Sequence, residues 1–458
     1  MSSPVMVPRR RRSFAGPIVL IILGIVFLLG NMGVITWRVL GTWFAHYWPV
    51  LIILWGVVKL VEYYQAQREG TRPSGIGFGG VMLLIFLVVC GLAASKASKV
   101  NWDAIHDDMD WGDNVFSPFG NTYNYTHESV QALPEGANVR VVSDHGDVTI
   151  TTWDEKQVKV VSQKKLGADS EDQGQKIDAQ TEPMISTAGN VVTVNANTTA
   201  GGDHNVTSDL QIYLPKNVAV DIAAKRGDIS VHDRAAEVKA NAGHGDVQIS
   251  DIDGNVAVVI RKGSLNTSRI KGNLALDGRL DDTTIADVSG TVTMTGDYFG
   301  DVSLSKIAHT VSFKSSRTDM QFDGLDGDLT LESGDLRAHS VTGPLSVMTH
   351  AKDIHVDDIS GDVKVQNSDG DIEVHADKLP LGNIRIANRK GDIQVVLPAQ
   401  SAFSLQARTH DGDIQSDFSE VNVHSGGGQT TATGNVGGAG PQLEISNEYG
   451  SIEIRKAG

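Results

Sequence analysis

Gly227-Asp228-Ile229-Ser230-Val231, Gly245-Asp246-Val247-Gln248-Ile249 and Gly370-Asp371-Ile372-Glu373-Val374 are copies of one phrase, Gly-Asp-apolar-x-apolar, which recurs between residues 227 and 375 with a period of about 18 residues. A fixed period of that length marks a stacked repeat and outranks any local propensity. A fainter copy runs 9 residues out of phase.

Columns test the repeat more strictly. The first strand starts read Ile229, Val247, Leu265, Thr283, Val302, Met320, Leu336, Ile354 and Ile372, and two residues further on stand Val231, Ile249, Thr267, Ile285, Leu304, Phe322, Ala338, Val356 and Val374. The out-of-phase copy gives Val256, Leu274, Val292, Val311, Leu329, Leu345 and Val363, again with apolar residues two positions later. Apolar residues at i and i+2 with polar ones between predict short strands with one inward face. The predicted fold is therefore all-β: a β-solenoid of the parallel β-helix kind, about 18 residues and two strands per coil, with regular coils over about 227–375. Right-handed coiling follows from the general rule for parallel crossovers. Gly227, Gly245, Gly263, Gly300, Gly334 and Gly370 fall at the corner before a strand, where a positive φ is expected.

The first hundred residues suit a different solvent. Residues 17–36, 43–60 and 75–94 each approach the ~20 apolar residues that a helix needs to cross a bilayer, so residues 1–100 read as an anchor of three transmembrane α-helices. A signal peptide competes for the first span, but no small-x-small cleavage site follows it and two more apolar segments do. Arg9 to Arg12 precede the first span, and Lys59, Arg68 and Arg72 border the second loop. The positive-inside rule then places the N-terminus in the cytoplasm and everything after the third span outside the cell (inner) membrane. Lys96 and Lys99 oppose this mildly. Cys90, the single cysteine, lies in the third span, so no intrachain disulfide can hold the repeat together. Val89 before it is too large for a lipoprotein cleavage box.

Charge divides the same way. Residues 1–100 carry 10 Lys+Arg and 2 Asp+Glu, which leaves 29 and 53 of the totals 39 and 55, a net −24, for the remainder. So acidic an exported part is no partner for nucleic acid. Residues 101–138, with Trp102, Asp107, Asp108, Asp110 and Trp111, read as an acidic juxtamembrane linker, and 139–458 as the exported solenoid. Val139 to Ile150 already contains Gly146-Asp147, residues 164–185 are aperiodic and read as a loop, and Ser425 to Gly440 reads as a Gly-rich flexible loop. Leu214-Pro215 and Leu397-Pro398 each introduce a strand and then a Gly-Asp-Ile, an echo of one larger module. The closing segment, about 397–458, ends on Leu443-Glu444-Ile445 and Ile452-Glu453-Ile454, expected to cap the rod.

Those features together resemble the bacterial adhesin-like β-strand-repeat domain of unknown function that includes the LiaG-like proteins, over about Val139 to Lys456. Gly24 to Val34 and Trp48-Pro49 to Gly56 resemble the transmembrane region of LiaI and LiaF proteins. The resemblance implies an association with the cell envelope and its stress responses, and carries over no catalytic residue.

Catalytic motifs are absent: no His-Glu-x-x-His, no Gly-x-Ser-x-Gly, no phosphate-binding loop with Lys. No enzyme activity and no cofactor is expected. A calcium β-roll needs Gly-Gly-x-Gly-x-Asp-x-apolar-x, and each turn here offers one Gly and one Asp. One pattern points to a site. Asp228, Asp246, Asp282, Asp301, Asp319, Asp335, Asp353 and Asp371 precede successive strands, with Ser264 the single exception, whereas the opposite edge reads Asn255, Asn273, Thr291, Thr310, Asp328, Pro344 and Asp362. Carboxylates ~5 Å apart repel by roughly 1 kcal/mol even in water. Either corner amides offset this or a loosely held divalent cation or cationic partner does. The function expected is a membrane-anchored adhesive or structural surface for an envelope component. An envelope-stress sensor or regulatory accessory is the alternative, and a polysaccharide-acting enzyme is third, disfavoured because the central coils lack the long loops that would wall a groove.

Overall fold

The computed structural model describes residues 121–457 except residue 203, together with seven helical residues between Tyr47 and Tyr64. No helix among the described residues is long and apolar enough to cross a membrane. The three expected spans, 17–36, 43–60 and 75–94, otherwise lie outside those residues. Residues 116–458 form a compact unit of their own.

That unit is all-β, two facing sheets built from long parallel stacks. In the coil that follows Val238–His244, the corner Gly245-Asp246 leads to Val247–Ile252 in the first sheet, and a second corner returns the chain to Val256–Lys262 in the second. Val247 pairs with Ile229 behind and Leu265 ahead, and Val238 with Val220 and Val256, so the 18-residue period read from the sequence is the coil itself. The columns pack inward as one core in which Val231, Ile249, Ile285 and Leu304 are wholly buried.

A third inward column was invisible to the period-2 pattern. Asp233, Asp251, Arg269, Asp287 and Lys306 each take φ between 51° and 60°. A left-handed residue late in a strand turns the next side chain back inside, so Ile252, Ile270, Val288 and Ile307 are buried although alternation assigns them outward. Arg234 fills that column in the first regular coil. Its buried guanidinium donates to the carbonyls of Leu214 (3.1 Å), Pro215 (2.7 Å) and Val218. Burial lowers its pKa to about 10, which leaves it charged at neutral pH.

The winding is broken once. Val311–Lys314 does not cross to the first sheet but turns back through Ser315 to Arg317 into Thr318–Phe322, antiparallel in the same sheet. The chain then crosses over, runs Gly324–Leu331 antiparallel to Val302–Ile307, and reverses again into Asp335–His339. Met320 and Phe322 thus belong to the second sheet, and Leu329 and Leu331 to the first, the reverse of the expected columns. Inward alternation survives the swap, so the pattern alone could not reveal it. Gly334 lies in the second reversal, and neither it nor Gly300 has the positive φ expected of a corner glycine.

Both ends depart from simple stacking. Val148–Trp153 is inserted between Val206–Pro215 and Ile229–Arg234, and Asn138–Ser143 between Val191–Asn195 and Val220–Arg226. At the far end Gln442–Tyr449 enters between Ile384–Lys390 and Phe403–Asp411, and Ile452–Lys456 between Ile393–Leu397 and Ile414–Ser416. The last strands therefore do not cap the rod. Ile414–Ser416 and the hairpin Asn422–Gly426/Gln429–Val436 do, and Ser425 to Gly440 is mostly this hairpin, turning on Gly427 and Gly428 at φ 66° and 80°. The two Leu-Pro modules share a turn, Val218 N–H to the Pro215 carbonyl (3.2 Å) and Ser401 N–H to that of Pro398 (3.0 Å).

Among the described residues the β unit extends back to Asn121, inside the expected linker 101–138. Strand β1 (Asn121–Ala132) pairs antiparallel with Gln157–Ala168 over all twelve positions, so the second part of the expected linker is sheet. The expected loop 164–185 holds the end of that partner strand and a helix, α1 (Glu171–Gln180), capped by the Ser170 side chain accepting from the Gln173 N–H at 3.3 Å. A small second core of Leu166, Ala168, Ile177 and Val206 lies there, with Tyr123 and Tyr125 against it.

Candidate functional site

The Asp corners form two runs rather than one. In the first, the Asp228 N–H donates to Asp147 Oδ1, Asp246 N–H to Asp228 Oδ1 and Ser264 N–H to Asp246 Oδ1, each at 2.8 Å, and Asp301 N–H to Asp282 Oδ1 at 3.1 Å. Asp147 N–H in turn donates to Asp209 Oδ1 at 3.0 Å. In the second run Asp371 N–H donates to Asp353, Asp392 N–H to Asp371 and Ser451 N–H to Asp392, at 2.8, 2.8 and 2.7 Å. Between the runs sits the reversed strand Gly324–Leu331. Asp335 pairs with Asp353 through its strand but turns its carboxylate to Arg337 at 3.3 Å. Asp319 is not on this edge's first-sheet side at all: it stands in the second sheet opposite Met348 and Lys314.

Asp147, Asp228, Asp246, Asp282, Asp353, Asp371 and Asp392 thus each accept the amide that opens the next coil, and the N–H dipoles offset the repulsion along the column. A column of basic residues stands beside this corner. His145, Arg226, His244 and Lys262 stand one residue before Gly146, Gly227, Gly245 and Gly263, and Arg226, His244 and Lys262 are strand neighbours. Burial first, and then Arg226, lowers the His145 pKa. The opposite edge uses the same device, with amides in the first half and a carboxylate in the second: Asn273 N–H to Asn255 Oδ1 and Thr291 N–H to Asn273 Oδ1, both 2.9 Å, and Asn383 N–H to Asp362 Oδ1 at 2.8 Å. Asp147, Asp392 and Asp209 belong to the ladder although the column reading omitted them. The first two carry the Gly-Asp-apolar phrase outside the regular coils; Asp209 has no Gly before it and gave no signal.

Because an amide oxygen can replace the carboxylate in this bond, Asp246→Asn should leave stability within about 0.5 kcal/mol, whereas Asp246→Ala, which orphans the Ser264 N–H, should cost about 1 kcal/mol. Urea denaturation of the two variants reads this. A melting temperature of the parent that rises in millimolar calcium, and fails to rise in Asp246→Asn, would instead mark the edge as a cation site. Among the described residues no three His, Cys, Asp or Glu side chains converge as metal ligands.

Beside the first run lies a shallow groove of about 550 Å³, walled by Asp147, Asp228, Asp246 and Asp282 and floored by Ser230, Gln248, Asn266 and Thr284. His232 bridges Ser230 (2.6 Å) and Ser250 (2.8 Å) on the same face. Between the Asp corners, the outward floor residues of the first half are polar and carry no carboxylate or ammonium. The second half carries charges there: His375 lies between Glu373 (2.8 Å) and Asp357 (3.1 Å), and His355 bonds Glu373 at 3.0 Å. Burial raises the Glu373 pKa, but the bonds from His375 and His355 outweigh it and leave the carboxyl below its ordinary value.

A stack of amide-capped coils that presents a polar strip defines a β-solenoid domain. Residues 137–455 match the family described as Toastrack DUF4097, and the chain belongs to that family. Residues 15–104 match the LiaF transmembrane domain, which makes this a membrane-associated protein and agrees with the resemblance read from the sequence. Among solved structures, a candidate cell adhesion protein of Clostridium sporogenes is 11% identical and is covered 100% by 73% of this chain, with a TM-score of 0.17. A candidate adhesin of Bacteroides fragilis is also 11% identical, covering 72% of this chain and 97% of its own, at 0.22. A candidate lipid binding protein of Parabacteroides distasonis stands at 11%, 73%, 98% and 0.19. Likeness at these scores carries no argument about function. No curated protein matches the chain.

Proposed function

We propose that the protein is anchored in the cell (inner) membrane with its N-terminus in the cytoplasm, and that its extracytoplasmic β unit is a non-enzymatic adhesive or structural surface for an envelope component. The observation that carries this is the groove beside the first Asp run, whose polar floor repeats coil after coil. A repeating row of hydroxyls and amides suits an extended partner that repeats as well. It suits a polysaccharide hydrolase poorly, because the ladder carboxylates are spent on backbone amides rather than set in pairs across a cleft. The net −24 of residues 101–458 (29 basic against 53 acidic) argues against nucleic acid as partner.

The test is retention of residues 101–458 on envelope fractions. Gln248→Arg with Asn266→Arg should abolish retention and leave the melting temperature unchanged; unchanged retention would refute the strip as the binding surface. The second reading, a stress sensor that signals through its membrane helices, is favoured by the LiaF-type domain. Deleting residues 1–100 distinguishes the two, since an adhesive surface survives that loss and a sensor does not.

A further inference from the structure

Strand pairings end in four edge strands, and three of them are short. Met184–Ala188 and Asn422–Gly426 have five residues each and Ile414–Ser416 has three. The fourth, β1, has twelve, and among the described residues it pairs only with Gln157–Ala168. At about 3.4 Å per residue its free side is an open edge roughly 40 Å long.

Open edges are ordinarily blunted by shortness, Pro, Lys or a bulge. β1 has none of these. Its sequence, Asn121 to Ala132, contains no Pro, Gly, Lys or Arg, its register with the neighbouring strand is unbroken, and Thr122, Tyr123, Tyr125, Thr126 and Val130 favour extended backbone. The edge is also preformed. Tyr123 and Tyr125 pack against the small core under α1, and His127 Nε2 lies 2.8 Å from Asp178 on that helix.

We propose that β1 pairs antiparallel with β1 of a second copy, joining the two 17-stranded first sheets across a two-fold axis. Charge permits a second copy at this edge, and the tether favours one. The exported part, at net −24 (29 basic, 53 acidic), repels its own kind elsewhere. β1 holds a single acid, Glu128, and Lys159 neutralises it at 2.8 Å. The membrane domain match ends at residue 104 and β1 starts at Asn121, so two chains in one membrane carry these edges on short leads and meet at raised effective concentration. Self-pairing consumes both long edges, so the association closes as a dimer instead of growing into a filament.

The test uses the full chain in membranes, in a Cys90→Ser background that removes the single native cysteine. Asn124→Cys, Thr126→Cys, Glu128→Cys and, on the far edge, Val423→Cys are oxidised in parallel. At least one β1 variant should give a product of twice the 49.0 kDa chain. It should form about tenfold faster than the Val423→Cys product, because pairing holds the thiols together. Adding Thr122→Lys and Val130→Lys should abolish that product at unchanged melting temperature. The proposal is overturned if all three β1 variants cross-link no faster than Val423→Cys. It is overturned equally if the product has another mass, since a different protein's strand then occupies the edge.

Discussion

Gly245→Ala will destabilise the protein by about 3–5 kcal/mol, while Gly334→Ala will change stability by less than about 0.5 kcal/mol. Both glycines belong to the same sequence column, and composition gives no reason to separate them. Gly245 has φ 138°, and an added Cβ would lie 2.2 Å from the Gly227 carbonyl oxygen and 2.6 Å from its carbon. Those are backbone atoms of the coil below, fixed by their own ladder bonds, so nothing can yield. Gly334 has no neighbour within 4 Å of the same added atom and no positive φ. Chemical denaturation of the two variants checks the contrast. A small loss at Gly245 would mean that the corners are looser than their bonding implies.

Lys164→Met should cost about 3–5 kcal/mol, the range for removing one partner of a buried ion pair. The Lys164 side chain is 0% exposed and that of Asp178 13%, with Nζ 2.7 Å from Asp178 Oδ1 and 2.9 Å from the Asp178 carbonyl. Removing the ammonium leaves a carboxylate of α1 partly enclosed against the sheet with His127 to meet it. The double variant Lys164→Met/Asp178→Leu should recover most of the loss, because the penalty comes from the orphaned charge. If the double variant is as unstable as the single, the pair is not the cause. Hydrogen exchange should place the damage in α1 and β1 and leave the regular coils protected.

The same pair sets an acid limit. Burial raises the Asp178 pKa, but the bonds from Lys164 and His127 outweigh it and hold the carboxyl below its ordinary value. A depressed carboxylate contributes stability above its unfolded pKa, about 3.9, and that contribution is lost as pH falls through the lower folded value. Undocking of α1 should therefore begin below about pH 4 in the parent chain. In the double variant this acid step should vanish.

The coils were legible because every residue of the phrase has a local job. Ile229, Val231 and their successors need an inside, and Asp228 and Asp246 need a backbone amide to cap. The Asp ladder was found by column but misjoined at Asp319, because a reversal of direction leaves period-2 alternation unchanged. The third inward column was missed for a different reason. It depends on left-handed Asp233, Asp251 and Arg269; Asp tolerates that φ but is as common in ordinary turns and caps, and Arg gives no signal for it, so the residue types do not announce it. Residues 121–132 looked like linker because an edge strand half open to solvent lacks an apolar face.

By itself, then, the sequence determined the all-β class, the 18-residue coil, the inward columns and the acidic corner, since each is enforced by contacts one coil apart that repeat with the chain. Only the tertiary structure decided which strands sit beside which where that repetition fails: the reversed coil at 318–331, the insertion of Val148–Trp153 and of Gln442–Lys456 between older coils, and the long open edge at β1. Those choices rest on pairings between residues as many as 81 apart, such as Asp228 with Asp147. The free energy of such a pairing depends on what the intervening chain leaves unpaired, and that is not written in any local stretch of residues.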